Sequence, residues 1–322
     1  MQHGEAETIG RELIRALRGR LTRAAFSKRL GYRSNVVHRW ETGEVWPPVP
    51  TLLSGLARMG RIDRHLFAHF LGRPGAGRGF TPPQVARFLR ELQGKTPITT
   101  LAAQTGYNRF QIARWLRGQT RPRLPEFLCL VEATSRRLLD LLALIIDPAR
   151  VPSVAPRWEQ LQAAREAAYQ APWSHAVLRA LELGAPAGSL SDAELGTAVG
   201  LDVGTARDGL EWLVRSGQVR REAGRYRPQK VQVVDTRADP DRSRDLKAYW
   251  GQLAIERLQS GRSEGDFGYS LFAIHRDDLE RLRTLHLEYV RAMQSVIAHS
   301  TKPDCVGLYC AQLLDLRDVA KP

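Results

Sequence analysis

Cysteine is scarce in this chain. There are three in 322 residues, Cys129, Cys305 and Cys310, an odd and small number that argues against a disulfide framework and for a reducing compartment. None has zinc-like spacing or a nearby pair of histidines, so neither a metal nor any other cofactor is expected, and Cys129 lies on a helical pattern beside Leu128 and Leu130. Long apolar runs are missing too. The nearest, Leu138 to Ile146, is broken by Asp140 and falls well short of the roughly 18 residues a membrane span needs. The first residues carry Glu5, Glu7 and Glu12 without an apolar core and do not read as a signal peptide. A cytoplasmic protein with no membrane partner and access to the nucleoid is the expectation.

Catalytic patterns are equally thin. Asp266-Phe267-Gly268 and His275-Arg276-Asp277 look like protein-kinase fragments, but they come in the wrong order, and Leu282 stands where a metal-binding Asn belongs. The Gly-rich stretch from Gly72 to Gly79 lacks the Gly-Lys-Ser/Thr ending of a phosphate loop. With no nucleophile elbow and no metalloprotease motif, the expectation is a protein that is not an enzyme.

Positive charge, by contrast, is plentiful, and it is unevenly spread. The net charge is +14 with a sequence pI near 10.3. Residues 1–150 hold 25 Lys/Arg and 11 Asp/Glu, a net of +14, while residues 151–322 hold 23 of each. A composition bias would tilt both halves; a basic half points to a polyanionic partner.

That half is also duplicated. Gly31-Tyr32 returns as Gly106-Tyr107, Arg39-Trp40 as Arg114-Trp115, Gly43 as Gly118, Pro47 as Pro122 and Pro50 as Pro125, all at one offset (106 − 31 = 75). A fixed-period repeat signals a repeated structural unit. In the first copy Ile9, Leu13, Ile14 and Leu17 recur at helical spacing, Ala24 to Leu30 makes a second helix, Gly31-Tyr32 turns, and Ser34 to Glu41 makes a third. Gly31 frees the backbone for the tight turn. Val37 and Trp40 face inward, leaving Arg33, Ser34, Asn35, His38 and Arg39 outward. In the second copy Ile112 and Trp115 face inward. Asn108, Arg109, Phe110, Ala113, Arg114 and Arg117 face outward, with Arg121 and Arg123 just beyond. Phe110 is read as a packing contact rather than a wedge.

Leu21-Thr22, Gly31, Ser34, Val37, Arg39-Trp40-Glu41, Gly43, Pro47 and Leu52/Leu53 resemble the xenobiotic-response-element class of the lambda-repressor and Cro-like helix-turn-helix family. The resemblance covers about residues 10–60 and returns in the second copy, which departs from it at Pro97 and Leu116. It implies that the third helix reads base edges in a major groove, where Arg pairs with guanine and Asn with adenine. It makes Thr22 and Arg23, together with the outward residues of both copies, the expected DNA contacts. The arginines of the second copy suit phosphate clamping.

Beyond the repeats the character changes. Val177, Leu178, Leu181 and Leu183 mark a helix. Ser191 with Glu194 forms a capping box for a second, and Asp202 to Val214 marks a third. Two short strands about a Gly turn follow from Gln218, the plan of a winged helix. Its third helix carries Asp202, Asp208 and Glu211, so only the wing arginines, Arg221 and Arg225, are candidate DNA contacts. Asp245 to Leu258 and Arg276 to Ala298 read as helices, and Phe267 to Ile274 and Val306 to Leu314 as strands. Residues 157–316 resemble a bacterial regulator family of largely unassigned function that joins a winged helix to a small α/β tail; the resemblance implies transcriptional control and dimerisation.

The fold expected is therefore mainly α: two tandem repressor-like helix-turn-helix domains (1–72 and 80–147), a connecting helix plus winged helix (157–235), and a small α+β effector or dimerisation domain (236–322). The linkers are a Gly/Arg-rich stretch, Leu71 to Gly79, taken as flexible, and a stiffer proline-rich one, Asp147 to Pro156. The function expected is sequence-specific binding of double-stranded DNA by a transcriptional repressor using adjacent major grooves. The C-terminal domain is the expected site of homodimerisation or of a small-molecule or peptide effector. The competing expectation is a protein-interaction adaptor whose DNA binding is non-specific. Structured RNA fits poorly, because its deep major groove does not admit a reading helix.

Overall fold

The computed structural model describes residues 1, 3–72, 78–183, 190–222, 225–229, 234, 236, 239–261, 265–300 and 302–316. The chain is mainly α-helical and divides into two compact units, Met1–Leu161 and Gln162–Pro322.

The first unit realises the repeat as two sets of five helices. The first set is α1 (His3–Arg18), α2 (Arg23–Arg29), α3 (Val36–Thr42), α4 (Val49–Arg58) and α5 (Leu66–Leu71); the second is α6 (Pro82–Gln93), α7 (Ile98–Thr105), α8 (Arg109–Leu116), α9 (Leu124–Ser135) and α10 (Leu138–Ala143). Local chemistry sets the boundaries. Thr22 caps α2 by accepting from the backbone N–H of Ala25, and Thr81 with Gln84 forms a capping box on α6. Gly31 and Gly106 take φ of +94° and +75° in the inter-helix turns, a region open to glycine at little cost. α1 buries Ala6, Ile9, Leu13, Ile14 and Leu17 along one stripe, as the helical spacing predicts.

The two sets share one core. The backbone N–H of Val49 donates to the Pro122 carbonyl at 3.0 Å, and that of Leu124 to the Pro47 carbonyl at 3.1 Å. Between these bonds Pro48 and Arg123 form an antiparallel bridge. α1 packs on α9, and Leu13, Leu17, Leu52 and Leu56 from one set line the same apolar crevice as Leu124 and Phe127 from the other. Phe67 of α5 stacks on Phe88 of α6 at 4.0 Å and meets Phe80 edge-on at 5.1 Å. Phe80 and Phe88 are each 2% exposed and Phe67 7%. Burying a phenylalanine is worth about 1.5–3 kcal/mol, and an aromatic pair adds about 0.5–1.5. A pair of domains held only by a flexible tether would not bury this surface. Of the expected Gly/Arg-rich linker, residues 73–77 lie outside the described residues.

The proline-rich stretch 147–156 is not a spacer. It forms a 3-10 turn (Pro148–Arg150) capped by Asp147, with Val151 and Val154 fully buried. Ser153 donates its hydroxyl to Glu12 at 2.6 Å, and Arg150 donates to the Ala16 carbonyl at 3.3 Å. The segment completes the first unit, and the division between units falls within α11 (Ala155–Gln170).

The second unit opens with the expected winged-helix plan: α12 (Pro172–Ala180), α13 (Asp192–Val199), α14 (Val203–Arg215), then β1 (Val219–Glu222) antiparallel to β2 (Arg225–Pro228). Val177, Leu178, Leu181, Leu195, Leu210, Leu213 and Val219 form its core. The Ser191–Glu194 capping box is present. α15 (Pro240–Gln259) and α16 (Arg276–His299) follow. α15 is tied down by a bidentate pair from Arg242 to Glu166, at 2.7 and 2.9 Å, whose guanidinium also covers Tyr169.

The strands expected at Phe267–Ile274 and Val306–Leu314 are a correction. Neither segment has regular secondary structure or joins a ladder among the described residues; the only sheet there is the β1–β2 hairpin. Alternating side chains favour extended backbone but do not supply a partner edge. Tyr269 and Leu271 remain 98% and 80% exposed, while Val306 packs against the winged-helix core. No helix among the described residues is long and apolar enough to cross a membrane.

Candidate nucleic-acid interface

The candidate site comprises α3 and α8 with the turns that enter and leave them. In the first repeat the helix begins at Val36, two residues later than expected, so Arg33, Ser34 and Asn35 occupy the entering turn. Val37 and Trp40 are 0% and 3% exposed, which anchors the inner face. Arg33, Ser34, Asn35, His38 and Arg39 are all exposed. In the second repeat Asn108 caps α8, accepting from the Phe110 N–H at 2.8 Å. Ile112 and Trp115, at 0% and 2%, anchor it. Arg109, Phe110, Arg114, Arg117, Arg121 and Arg123 are exposed, and Ala113 is half-buried.

The two helices are seated alike. Arg15 donates to the Glu41 carbonyl, and Arg90, its counterpart 75 residues on, donates to the Leu116 carbonyl. Tyr32 meets Trp40 edge-on at 5.4 Å, and Tyr107 meets Trp115 in the same way at 5.2 Å. Each helix runs out into a left-handed glycine, Gly43 and Gly118.

Charge is held differently in the two repeats. Glu41 is 1% exposed and bonded by Arg18 at 2.6 Å and Arg23 at 2.7 Å. Burial pushes its carboxyl up, but the hydrogen bonds and charges of Arg18 and Arg23 outweigh that and hold it below the usual range. Arg23, expected to touch DNA, is thus committed to an internal ion pair, and Thr22 to a helix cap. Sequence reasoning missed Glu41 as their organiser. The available signal was an acidic residue directly after a core tryptophan on an otherwise basic helix. Arg39 pairs loosely with Glu44 at 3.4 Å. Among the described residues, Arg33, Arg109, Arg114, Arg117 and Arg121 form no ion pair with a carboxylate. Unneutralised arginines on one unit are what phosphate contact requires.

Phe110 is not a packing contact. It is 62% exposed, and the contact found for its ring is the Arg109 guanidinium 4.8 Å from its centre.

The winged helix presents a more neutral face. Arg207 pairs with Asp192 at 3.3 Å, Arg215 with Glu211 at 3.1 Å and Arg227 with Glu222 at 3.5 Å. Arg221 and Arg225 are exposed on the hairpin, Arg221 lying over Tyr226. Residues 223 and 224, between the strands, lie outside the described residues. Among the described residues no group of three or more His, Cys, Asp or Glu side chains is placed to hold a metal ion. Cys129 is buried, which pushes its thiol up to about 11, and Cys305 and Cys310 are exposed.

Residues 155–312 match the model of a domain of unknown function, DUF4423. That stretch takes in α11, the winged helix and the two long helices after it, and leaves both repeats of the first unit outside the match. No curated protein and no solved structure matches the chain. The matching family model carries no stated activity.

Proposed function

We propose that this protein is a sequence-specific, double-stranded-DNA-binding transcriptional regulator, acting as a repressor that occludes a promoter from the nucleoid. In this reading α3 and α8 enter adjacent major grooves. Arg33, Ser34, Asn35, His38 and Arg39 read on one side; Asn108, Arg109, Phe110, Arg114 and Arg117 read on the other, and Arg121 and Arg123 hold phosphates. The observation that carries the reading is the pair of similarly seated helices with Arg33, Arg109, Arg114, Arg117 and Arg121 on and beside them, exposed and, among the described residues, without carboxylate partners, on a half of the chain with net charge +14. The DUF4423-like unit takes the partner-facing role, through homodimerisation or a small-molecule or peptide effector. It has no enzymatic part in this proposal.

Fluorescence anisotropy of the full chain on its own promoter region and on a shuffled duplex, titrated with salt, tests the proposal. The expected result is promoter binding at least about a hundredfold tighter than shuffled, with a steep salt slope. Equal, weak binding erased by salt on every duplex tried would sink it. One observation favours a second reading, a protein-interaction adaptor: the exposed Tyr269, Leu271, Leu314 and Leu316 of the second unit. Loss of regulation on changing these residues, with Arg33→Ala and Arg39→Ala silent, would select it.

A further inference from the structure

We infer that one copy of this chain reads a composite site of two unlike half-sites in inverted orientation, at a single fixed spacing. The inference rests on the DNA-reading role proposed above and goes beyond it by naming the symmetry of the ligand.

The argument begins at the bridge between the repeats. Positions 47 and 49 of the first repeat correspond to 122 and 124 of the second. Val49 donates to Pro122 at 3.0 Å, and Leu124 donates to Pro47 at 3.1 Å. The same position donates and the same position accepts in both directions. A head-to-tail arrangement of repeats would bring unlike surfaces together and could not produce this reciprocity; a two-fold arrangement must. Pro48 pairs antiparallel with Arg123, its own counterpart, so the local axis passes between them.

The seating of the helices then carries that axis outward. Each helix is fixed to its own repeat by the same arginine-to-carbonyl bond and the same Tyr–Trp contact. The operation that exchanges the two bridge segments therefore also exchanges α3 and α8. The strands of a duplex are antiparallel, so readers related by a two-fold axis meet inverted half-sites, whereas readers related by translation meet direct repeats.

The half-sites are unlike because the readers are. Position by position, Arg33, Ser34, Asn35, Val36 and His38 correspond to Asn108, Arg109, Phe110, Gln111 and Ala113. Of the outward residues, only Arg39 and Arg114 agree. Arg and Asn select different bases, so a true palindrome would mismatch one reader. The spacing is single because the joint is a packed core, with Phe67 on Phe88 and α1 on α9, rather than a tether.

The test is in vitro selection by the full chain from randomised duplexes. Anisotropy on the selected site and native mass spectrometry of the complex follow. The expected product is two different motifs on opposite strands at one spacing, bound by one chain. Flipping one half-site into direct orientation, or inserting two base pairs between the halves, lowers affinity at least about thirtyfold. Direct repeats, a lone half-site, a true palindrome holding two chains, or indifference to flipping would overturn the inference while leaving DNA reading intact. Absence of any enriched sequence would instead remove the proposed function itself. Because the changes are made in the DNA, a misfolded variant cannot imitate either outcome.

Discussion

The two repeats solve one mechanical problem with opposite chemistry. Each must lock a short helix, α3 or α8, to its neighbours. The first does so with a buried carboxylate, Glu41, clamped by Arg18 and Arg23. At the corresponding places the second has Leu116, Gln93 and Ile98, and Leu116 is 5% exposed. A second exchange runs alongside. Gly10 of α1 leaves room for the Trp46 ring, whose nearest atom would lie 2.9 Å from any added Cβ; the second repeat has Val85 and Arg121 there. Geometry is kept while the interactions are replaced in matched sets. Buried ion pairs are often no more stabilising than apolar residues of similar volume, but they are costly to leave half-made.

That difference can be broken from either side. Leu116→Glu places a carboxylate where no arginine clamp exists. It should cost about 3–5 kcal/mol in chemical denaturation of the full chain; a negligible shift would show that the second site is not the apolar equivalent of the first. Glu41→Leu should cost less, about 2 kcal/mol, because Arg18 and Arg23 keep partial access to water. Adding Arg23→Ile to that change should recover most of the loss, and a double-mutant cycle showing simple additivity would contradict the clamp.

Acid sharpens a second contrast, between the two units. His175 lies in the winged helix, where burial first and the Arg179 charge second lower its pKa to about 4, from 6.5. The folded state resists a proton that the unfolded chain accepts, so the neutral imidazole's contribution is complete above pH 6.5 and is lost as pH falls toward 4. Between pH 7 and 5 the second unit should lose about 2 kcal/mol, and His175→Gln should flatten that slope. The Glu41 clamp titrates in a lower window. Its pKa is depressed, so its contribution is complete above the ordinary 4.5 and fades only as pH falls below it. Loss of first-unit structure before second-unit structure on mild acidification would reverse this order. The smallest stability effect is expected at Phe110. Because it is 62% exposed, Phe110→Ala should change stability by less than about 0.5 kcal/mol. The same change should weaken DNA binding several-fold; an equal loss in both measurements would return Phe110 to a packing role.

Much of the first unit was legible as pattern. The common offset, the turn glycines and the inward pairs Val37/Trp40 and Ile112/Trp115 follow from helical periodicity and turn chemistry, which are local. The joint between the repeats was not legible. Its parts, Phe67 with Phe88 and Pro47 with Leu124, lie far apart in sequence and look like ordinary helix cores and loop prolines. The partner of Arg23 was hidden for a related reason. A basic residue beside a reader helix looks the same whether it faces a phosphate or a buried glutamate, and Glu41 decides the matter only through folding. In the second unit the capping box at Ser191 announced its helix. The alternation at Phe267–Ile274, however, describes one strand's preference and not whether a neighbouring strand is available.

The reciprocal bridge also changes the arithmetic of regulation. A paired reader assembled from two separate chains depends on an association step, so its occupancy at low copy number falls faster than its concentration. Here the pairing is covalently guaranteed, and on the proposed site occupancy should follow copy number in simple proportion. On that proposal a substitution in one of the two helices would be felt in one half-site alone, instead of being imposed on both. If the proposed site is correct, each half can drift without dragging the other, and the protein would sit on that site in only one of the two directions.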